Sequence, residues 1–84
     1  MIQVYLFAQL AEVAGKKYLH LELPEQQVSV EQLMTDYCQD NNPALAELLF
    51  DGSISVAVNK QFASWQTILH EGDEVGFLPP VSGG

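Results

Sequence analysis

The chain has 84 residues, of which 11 are acidic and only 3 are lysine or arginine, giving a formal net charge of −8. This length has room for one domain with a single core, and a hydrophobic content of 48% is too high for a disordered chain. Because phosphate groups are bound by basic side chains, the composition argues against a nucleic-acid partner and against an anionic membrane surface. A basic protein partner is the natural expectation, since opposite charges steer encounter.

Cysteine usage and the N-terminal sequence predict a soluble cytoplasmic protein. The single cysteine, Cys38, excludes an internal disulfide and a cysteine-based metal cluster. Residues 1–4 lack the basic region and the apolar run of a signal peptide. No apolar stretch approaches the roughly 20 residues that span a bilayer.

Two strands are predicted within the first 23 residues. Residues 2–8 alternate between Ile2, Val4, Leu6 and Ala8 on one side and Gln3, Tyr5 and Phe7 on the other, a period of two that is typical of a half-buried strand. Residues 17–23 alternate in the same way. We expect the two strands to pair antiparallel, closing near Gly15-Lys16, with room for a helical turn over residues 9–15.

A helix is predicted over residues 28–38. Ser29 and Gln32 fit a capping box, and Val28 with Leu33 fits the hydrophobic staple around it. The residues that follow at helical spacing form one apolar stripe: Val30, Leu33, Met34, Tyr37 and Cys38.

A second, shorter helix is predicted to begin after Asn42. Pro43 cannot continue the first helix, whereas Asn42 can cap the next one with Pro43 in its first turn. The side chains expected to face inward are Ala44, Leu45, Leu48 and Leu49.

Three further strands complete the predicted order. Asp51-Gly52 is a turn before a strand over residues 54–58, and Asn59-Lys60 is a tight turn before a short strand around Phe62. The last strand is predicted over residues 74–78, after an irregular stretch and a turn. The order of elements fits an α+β fold of the β-grasp type, a mixed sheet packed on one main helix plus a short second helix.

The predicted domain spans residues 1–78, and a C-terminal arm spans residues 79–84. Within the domain, we expect Phe62 and Trp65 to fill the core rather than to contact a partner.

Ordinary catalytic sets are missing from the sequence. His20 and His70 do not have the spacing of metal ligands or of a nucleophile and its base, and both are predicted at the surface. The acidic cluster at residues 71–74 lacks the spacing of a calcium loop. Cys38 lies on an apolar helix stripe, where it acts as a small hydrophobe. We therefore expect a non-catalytic chain that binds no metal.

The carboxyl end is the best candidate for chemistry. Pro79-Pro80 favours an extended exit from the last strand, Val81 and Ser82 continue the arm, and Gly83-Gly84 ends it without side chains. Such a tip can enter a narrow channel and bring the α-carboxylate of Gly84 to another protein's catalytic groups. Because a carboxylate is a poor electrophile, it would need activation, for example as an acyl adenylate made by a partner that uses ATP.

The sequence resembles the small sulfur-carrier subunit of molybdopterin synthase, a ubiquitin-like family, over nearly its whole length. The stretches that carry the resemblance are Met1-Ile2-Gln3-Val4 with Leu6-Phe7-Ala8, Val56-Ala57-Val58-Asn59, and residues 71–84. The ending Phe77-Leu78-Pro79-Pro80-Val81-Ser82-Gly83-Gly84 is the most specific of them. Residues 37–53 match no family pattern, and Gln9, Ala11 and Glu12 occupy a loop where the family often has a basic residue.

The resemblance implies a sulfur-transfer cycle on the arm. An E1-like adenylyltransferase would adenylate the Gly84 carboxylate with MgATP, and a cysteine-derived persulfide would displace AMP to leave a thiocarboxylate. The large catalytic subunit would then transfer the sulfur to cyclic pyranopterin monophosphate, two rounds giving the dithiolene of molybdopterin. The family works as a heterotetramer of two large subunits and two carriers, and the carrier itself binds no cofactor.

The resemblance also assigns roles by position. Gly84 is the sulfur-bearing residue. Gly83, which has no side chain, lets the end of the arm enter the narrow channel of the partner. The residues that would line the partner contact or lead into it are Phe77, Leu78, Pro79, Pro80, Val81 and Ser82.

Three other functions stay open on the sequence. A carrier for thiamine thiazole synthesis shares the fold and the Gly-Gly end but generally lacks the Phe-Leu-Pro-Pro-Val sequence before that end. A protein modifier would form isopeptide bonds through Gly84. A β-grasp binding module with an inert tail would keep its activity without Gly83-Gly84.

Overall fold

A computed structural model describes residues 1–80 of the chain. Its elements are β1 (Ile2–Leu6), α1 (Gln9–Ala14), β2 (Tyr18–Leu21), α2 (Val30–Asn41), α3 (Pro43–Leu49), β3 (Ser55–Val58), β4 (Gln61–Ala63) and β5 (Glu74–Leu78). The predicted α+β fold is confirmed, because a mixed sheet packs on one main helix with shorter helices beside it. Within residues 1–80, no helix has the length and apolar character needed to cross a membrane.

The five strands form one sheet in the order β2-β1-β5-β3-β4. Strands β1 and β5 run parallel, and the other neighbouring pairs run antiparallel. Strand β5 is therefore central and hydrogen-bonded on both sides, so the chain enters the predicted arm from the middle strand of the sheet.

The connection between β1 and β2 is longer and more ordered than expected. The antiparallel pairing is confirmed, but a complete six-residue helix, α1, lies between the strands in place of a single turn. It buries Leu10 and ends at Gly15, whose φ of 77° is the left-handed conformation that glycine adopts most easily.

Helix α2 begins where the sequence predicts. The Ser29 hydroxyl accepts a hydrogen bond from the Gln32 backbone N–H at 3.1 Å, which satisfies one of the free donors of the first turn. The Gln32 side chain does not complete the capping box, because it donates instead to Asp36 Oδ1 at 3.0 Å. The core side chains of α2 are Val30, Leu33, Met34 and Cys38.

Helix α3 is capped by Asn42, whose Oδ1 accepts from the Leu45 N–H at 3.2 Å, and Pro43 is its first residue. Leu45 and Leu49 are fully buried, as predicted. The prediction that Ala44 faces inward is wrong, since Ala44 is exposed. At about 100° per residue, Ala44 falls outside the face centred on the two leucines.

Candidate functional site

An aromatic stack fixes the end of β5 to the core, directly before the predicted arm. The ring of Phe77 is fully buried and stacks on Trp65, with ring centroids 5.3 Å apart and an angle of 16° between the planes. Trp65 in turn contacts Phe50 at a centroid distance of 4.9 Å. The prediction that Trp65 fills the core is confirmed, because it packs against the buried cluster.

The residues assigned to the partner contact differ in their accessibility. Phe77 holds the strand in place, but its buried side chain offers no surface to a partner. Leu78 and Pro79 are half-buried, and Pro80 is exposed. The remaining assigned positions lie outside the described residues: Val81, Ser82, Gly83 and the proposed sulfur-bearing Gly84.

A row of cross-strand neighbours crosses all five strands on the face of the sheet opposite the core. In strand order the row is Tyr18, Tyr5, Gly76, Ala57 and Phe62. Directly paired residues point to the same face of a sheet. Two small residues therefore lie between aromatic side chains, and the small centre leaves a depression.

This depression is an apolar groove, which we call the sheet groove. Its volume is about 340 Å³, and its lining residues are Tyr5, Phe7, Ala57, Lys60, Glu74, Gly76 and Leu78. A Cβ added at Gly76 would lie 3.9 Å from Phe7 Cε2, an ordinary contact. Close packing within the chain therefore does not require glycine at this position. The missing side chain instead deepens the exposed groove.

Phe62 corrects a sequence prediction. We expected it in the core, but it is 82% exposed. The cause is the register: Phe62 is paired with Ala57 on the outward face of the edge strand β4. Phe7 is also 44% exposed, and apolar side chains clustered on a surface mark contact sites. The sheet face is thus an exposed apolar surface, and a candidate contact surface, that the sequence analysis did not identify.

Hydrogen bonds hold the polar side of the sheet groove. Gln3 Nε2 donates to the Tyr5 hydroxyl at 2.8 Å, and that hydroxyl donates to Glu74 Oε2 at 3.1 Å. Partial desolvation, followed by the hydrogen bond to Glu74, raises the pKa of Tyr5 above its ordinary value. Tyr5 therefore remains protonated at neutral pH and acts as a fixed donor at the groove wall.

A second groove, the loop groove, lies beside the first and shares Tyr5 and Phe7 with it. Its volume is about 260 Å³, and its lining residues are Tyr5, Leu6, Phe7, Ala8, Ala11, Lys17 and Tyr18. The aromatic rings of Tyr5 and Tyr18 meet edge to face at 5.3 Å. The two grooves together form one apolar surface on the open face of the sheet.

The turn between β3 and β4 is fastened to the start of β5. Asn59 Nδ2 donates to Asp73 Oδ1 at 2.9 Å, and Asn59 Oδ1 accepts from the Glu74 N–H at 3.0 Å. Asp73 Oδ2 also accepts from the His70 N–H at 2.8 Å. Asn59 and residues 73–74 belong to the stretches that carry the family resemblance, and these bonds give them a structural role, since they fix one end of the sheet groove.

The histidines and the cysteine of residues 1–80 lie apart from the two grooves. His20 and His70 are exposed, as predicted. Cys38 is buried, and desolvation raises the pKa of its thiol, which keeps it in the unreactive protonated form. Within residues 1–80, no three potential metal ligands are grouped together.

Comparisons with known proteins agree with the resemblance noted in the sequence. The sequence model of the ThiS family matches residues 4–84. The chain is 40% identical over 85 residues to the molybdopterin synthase sulfur carrier subunit of Escherichia coli (strain K12), covering 100% of both proteins.

Solved structures show the same fold. SAMP1 from Haloferax volcanii, a small archaeal modifier protein, has a TM-score of 0.83 at 30% identity, covering 99% of this chain and 98% of that one. A chain from the complex of subunits 1 and 2 of the molybdopterin-converting factor of Helicobacter pylori 26695 has a TM-score of 0.64 at 19% identity, covering 99% and 97%.

Proposed function

Because the chain belongs to the ThiS family, we propose that it is the sulfur carrier of a molybdopterin synthase. The observation that carries this proposal is the 40% identity to the Escherichia coli carrier subunit, which extends over the full length of both proteins. The family match also extends to residue 84. The Gly-Gly end is therefore included in the similarity.

Gly84 is the proposed site of chemistry. Its α-carboxylate attacks ATP on an E1-like enzyme, forming an acyl adenylate and releasing pyrophosphate. A cysteine-derived persulfide sulfur then forms the new carbon–sulfur bond as AMP leaves, and a thiol reduces the sulfur–sulfur bond to release the thiocarboxylate. The role of the folded domain is to present the arm, which the central position of β5 and the buried ring of Phe77 support.

The proposed recipient of the arm is the large subunit of the synthase, which supplies the catalytic groups and transfers sulfur to cyclic pyranopterin monophosphate. The complex of subunits 1 and 2 of the Helicobacter pylori factor is the precedent for such a pair, and we propose two copies of each subunit in the assembly. The open face of the sheet supports docking, since it exposes apolar side chains beside the strand that leads into the arm.

Reconstitution tests this function. The chain is incubated with an E1-like enzyme, MgATP and a persulfide donor, and then with the large subunit and cyclic pyranopterin monophosphate. We expect molybdopterin to form only when all components are present. A variant that lacks Gly83 and Gly84 is the matched control and should give none. Equal yield with this truncated variant would favour a binding module with an inert tail.

The similarity to SAMP1 favours one second candidate, a protein modifier attached to lysines through Gly84. Recovery of the tagged chain under denaturing conditions separates the two functions. A modifier would be linked to many proteins by isopeptide bonds, whereas a dedicated carrier would be recovered largely as the free chain. Delivery to thiamine thiazole synthesis is tested by offering that pathway's synthase in place of the large subunit.

A further inference from the structure

The basic residues of this acidic chain are concentrated at its open apolar face. The chain contains three lysines and no arginine. Lys60 lines the sheet groove and Lys17 lines the adjoining loop groove, and both are exposed. Of the 11 acidic residues, only Glu74 lines either groove, and its Oε2 accepts the Tyr5 hydroxyl. The local charge at this face is thus opposite to the net charge of −8.

Neither groove lysine has a partner within the part of the chain that the structure describes. The ion pairs among residues 1–80 join the N-terminus to Glu71 and His70 to Asp73. Two ammonium groups beside an apolar surface are therefore available to charges on a docking protein.

The backbone at Lys60 gives a second, independent indication. Asn59 and Lys60 have φ angles of 52° and 69°, the positive values that a two-residue hairpin turn of type I′ requires. Asparagine tolerates this conformation, but the second position strongly favours glycine. A lysine here is strained, and strained residues that persist in a fold point to a functional requirement.

We infer that Lys60 and Lys17 are specificity-determining residues that pair with carboxylates at the rim of the docking partner. The pairing rests on the proposed function and describes the surface of the large subunit that docks here. That surface has an apolar centre, which fills the sheet groove over Gly76 and Ala57, with aspartate or glutamate on either side. The two lysines lie in different grooves that share Tyr5 and Phe7. Two such pairs fix the orientation of the partner on the sheet.

The partner surface proposed for this face is acidic, whereas the net charge of −8 favours a basic partner. At physiological ionic strength, charges more than about 8 Å apart are largely screened. Acidic residues that lie farther than this from the interface therefore act weakly across it. Charges at the rim are in contact distance and are partly desolvated on docking, so they decide which surface is accepted.

The test is the dissociation constant between the full-length chain and its large subunit, measured by calorimetry. We expect Lys60→Glu and Lys17→Glu each to weaken binding by about tenfold or more. Lys16→Glu makes the same change in net charge at an exposed residue that lines neither groove, and it should stay within about twofold.

A glycine variant separates the lysine charge from the stability of the turn. Lys60→Gly removes the charge and relieves the positive φ, so it should weaken binding while the Tm is unchanged or rises by up to about 4 °C. If the weaker binding came from destabilisation of the fold, the Tm of the variant would instead be lower. The combination of weaker binding and equal or higher Tm supports a recognition role.

Carbodiimide cross-linking identifies the groups that lie in contact. Because this reagent joins an ammonium to an adjacent carboxylate, we expect links from Lys60 and Lys17 to acidic residues of the large subunit, and none from Lys16. Normal affinity of both charge-reversed groove variants would overturn the inference and leave the proposed function intact. Links from Lys60 to a second copy of this chain would also overturn it. If the unmodified chain did not bind the large subunit, both the inference about the lysines and the proposed function would be overturned.

Discussion

Gly84 is the residue on which the proposed chemistry depends, and it acts through its backbone. Under the proposed function the arm enters a narrow channel of the partner, and a Cβ at the tip would widen the arm there. Misplacing a reacting atom by about 1 Å can reduce a rate by roughly a hundredfold. The effect of one methyl group added at Gly84 can therefore be measured as a change in the rate of sulfur transfer.

Gly84→Ala should reduce sulfur transfer by about a hundredfold and leave the Tm of the domain unchanged. The position lies beyond β5, which ends at Leu78. The measurements are the rate of molybdopterin formation at saturating large subunit and thermal unfolding of the free chain. Transfer at the normal rate would contradict the role given to Gly84.

Asp73 connects the stability of the sheet end to pH. Desolvation raises the pKa of its carboxyl group, but hydrogen bonds from the Asn59 side chain and the His70 backbone outweigh this and lower the pKa below its ordinary value. A lowered pKa in the folded state stabilises the fold above the unfolded-state pKa of about 3.9. That contribution is lost as the pH falls through the lower folded-state pKa.

Asp73→Asn should therefore lower the urea midpoint at neutral pH, and its difference from the unmodified chain should narrow below about pH 4. Asp40→Asn is the control, since Asp40 is exposed on α2 and makes none of these contacts. A difference that stays constant across this pH range would show that the loss comes from packing rather than from ionisation.

At the scale of elements, β5 joins the core, the proposed docking surface and the arm. Val75 and Phe77 are buried on one face, while Gly76 forms part of the groove on the other. Its pairing with β1 and β3 fixes the position of both faces. A partner that fits the groove is therefore held in a defined position relative to the start of the arm.

Gly76→Val should fill the sheet groove and weaken binding to the large subunit by about tenfold or more. The fold should be retained, because the added Cβ meets only Phe7 at 3.9 Å and valine favours strands. Ser55→Val is the matched control, on the open face of β3 but outside the groove. Equal affinities for the two variants would show that the groove is not the contact.

At the scale of the whole molecule, ten of the 11 acidic residues lie outside the two apolar grooves. The chain carries a net charge of −8, which favours solubility, yet two of its three lysines border the apolar face. Both properties suit a carrier that must stay dispersed when free and dock on partners in turn.

Much of this architecture follows from local sequence signals. The Ser29 cap, the Asn42 cap with Pro43, and the strand at residues 74–78 are set by side chains within a few residues, so each was predicted correctly. The order of the predicted elements indicates the fold class, and the polar positions of the two histidines indicate their exposure.

The docking face could not be predicted, because it depends on register between distant strands. Tyr5, Gly76 and Ala57 become neighbours only when β1, β5 and β3 pair as they do. Alternation along β4 does not reveal which side faces out, so Phe62 was assigned to the core. The proposed role of the arm, in contrast, is supported by its Gly-Gly end and by similarity to relatives rather than by packing.

The intact mass of the chain purified from its native host tests the central claim most directly. The account predicts a fraction heavier by one oxygen-to-sulfur exchange, located by fragmentation at Gly84 and not at an oxidised methionine or at Cys38. Incubation with an E1-like enzyme, MgATP and a persulfide donor should increase that fraction. A Gly84 that remains a plain carboxylate under both conditions would contradict the carrier function.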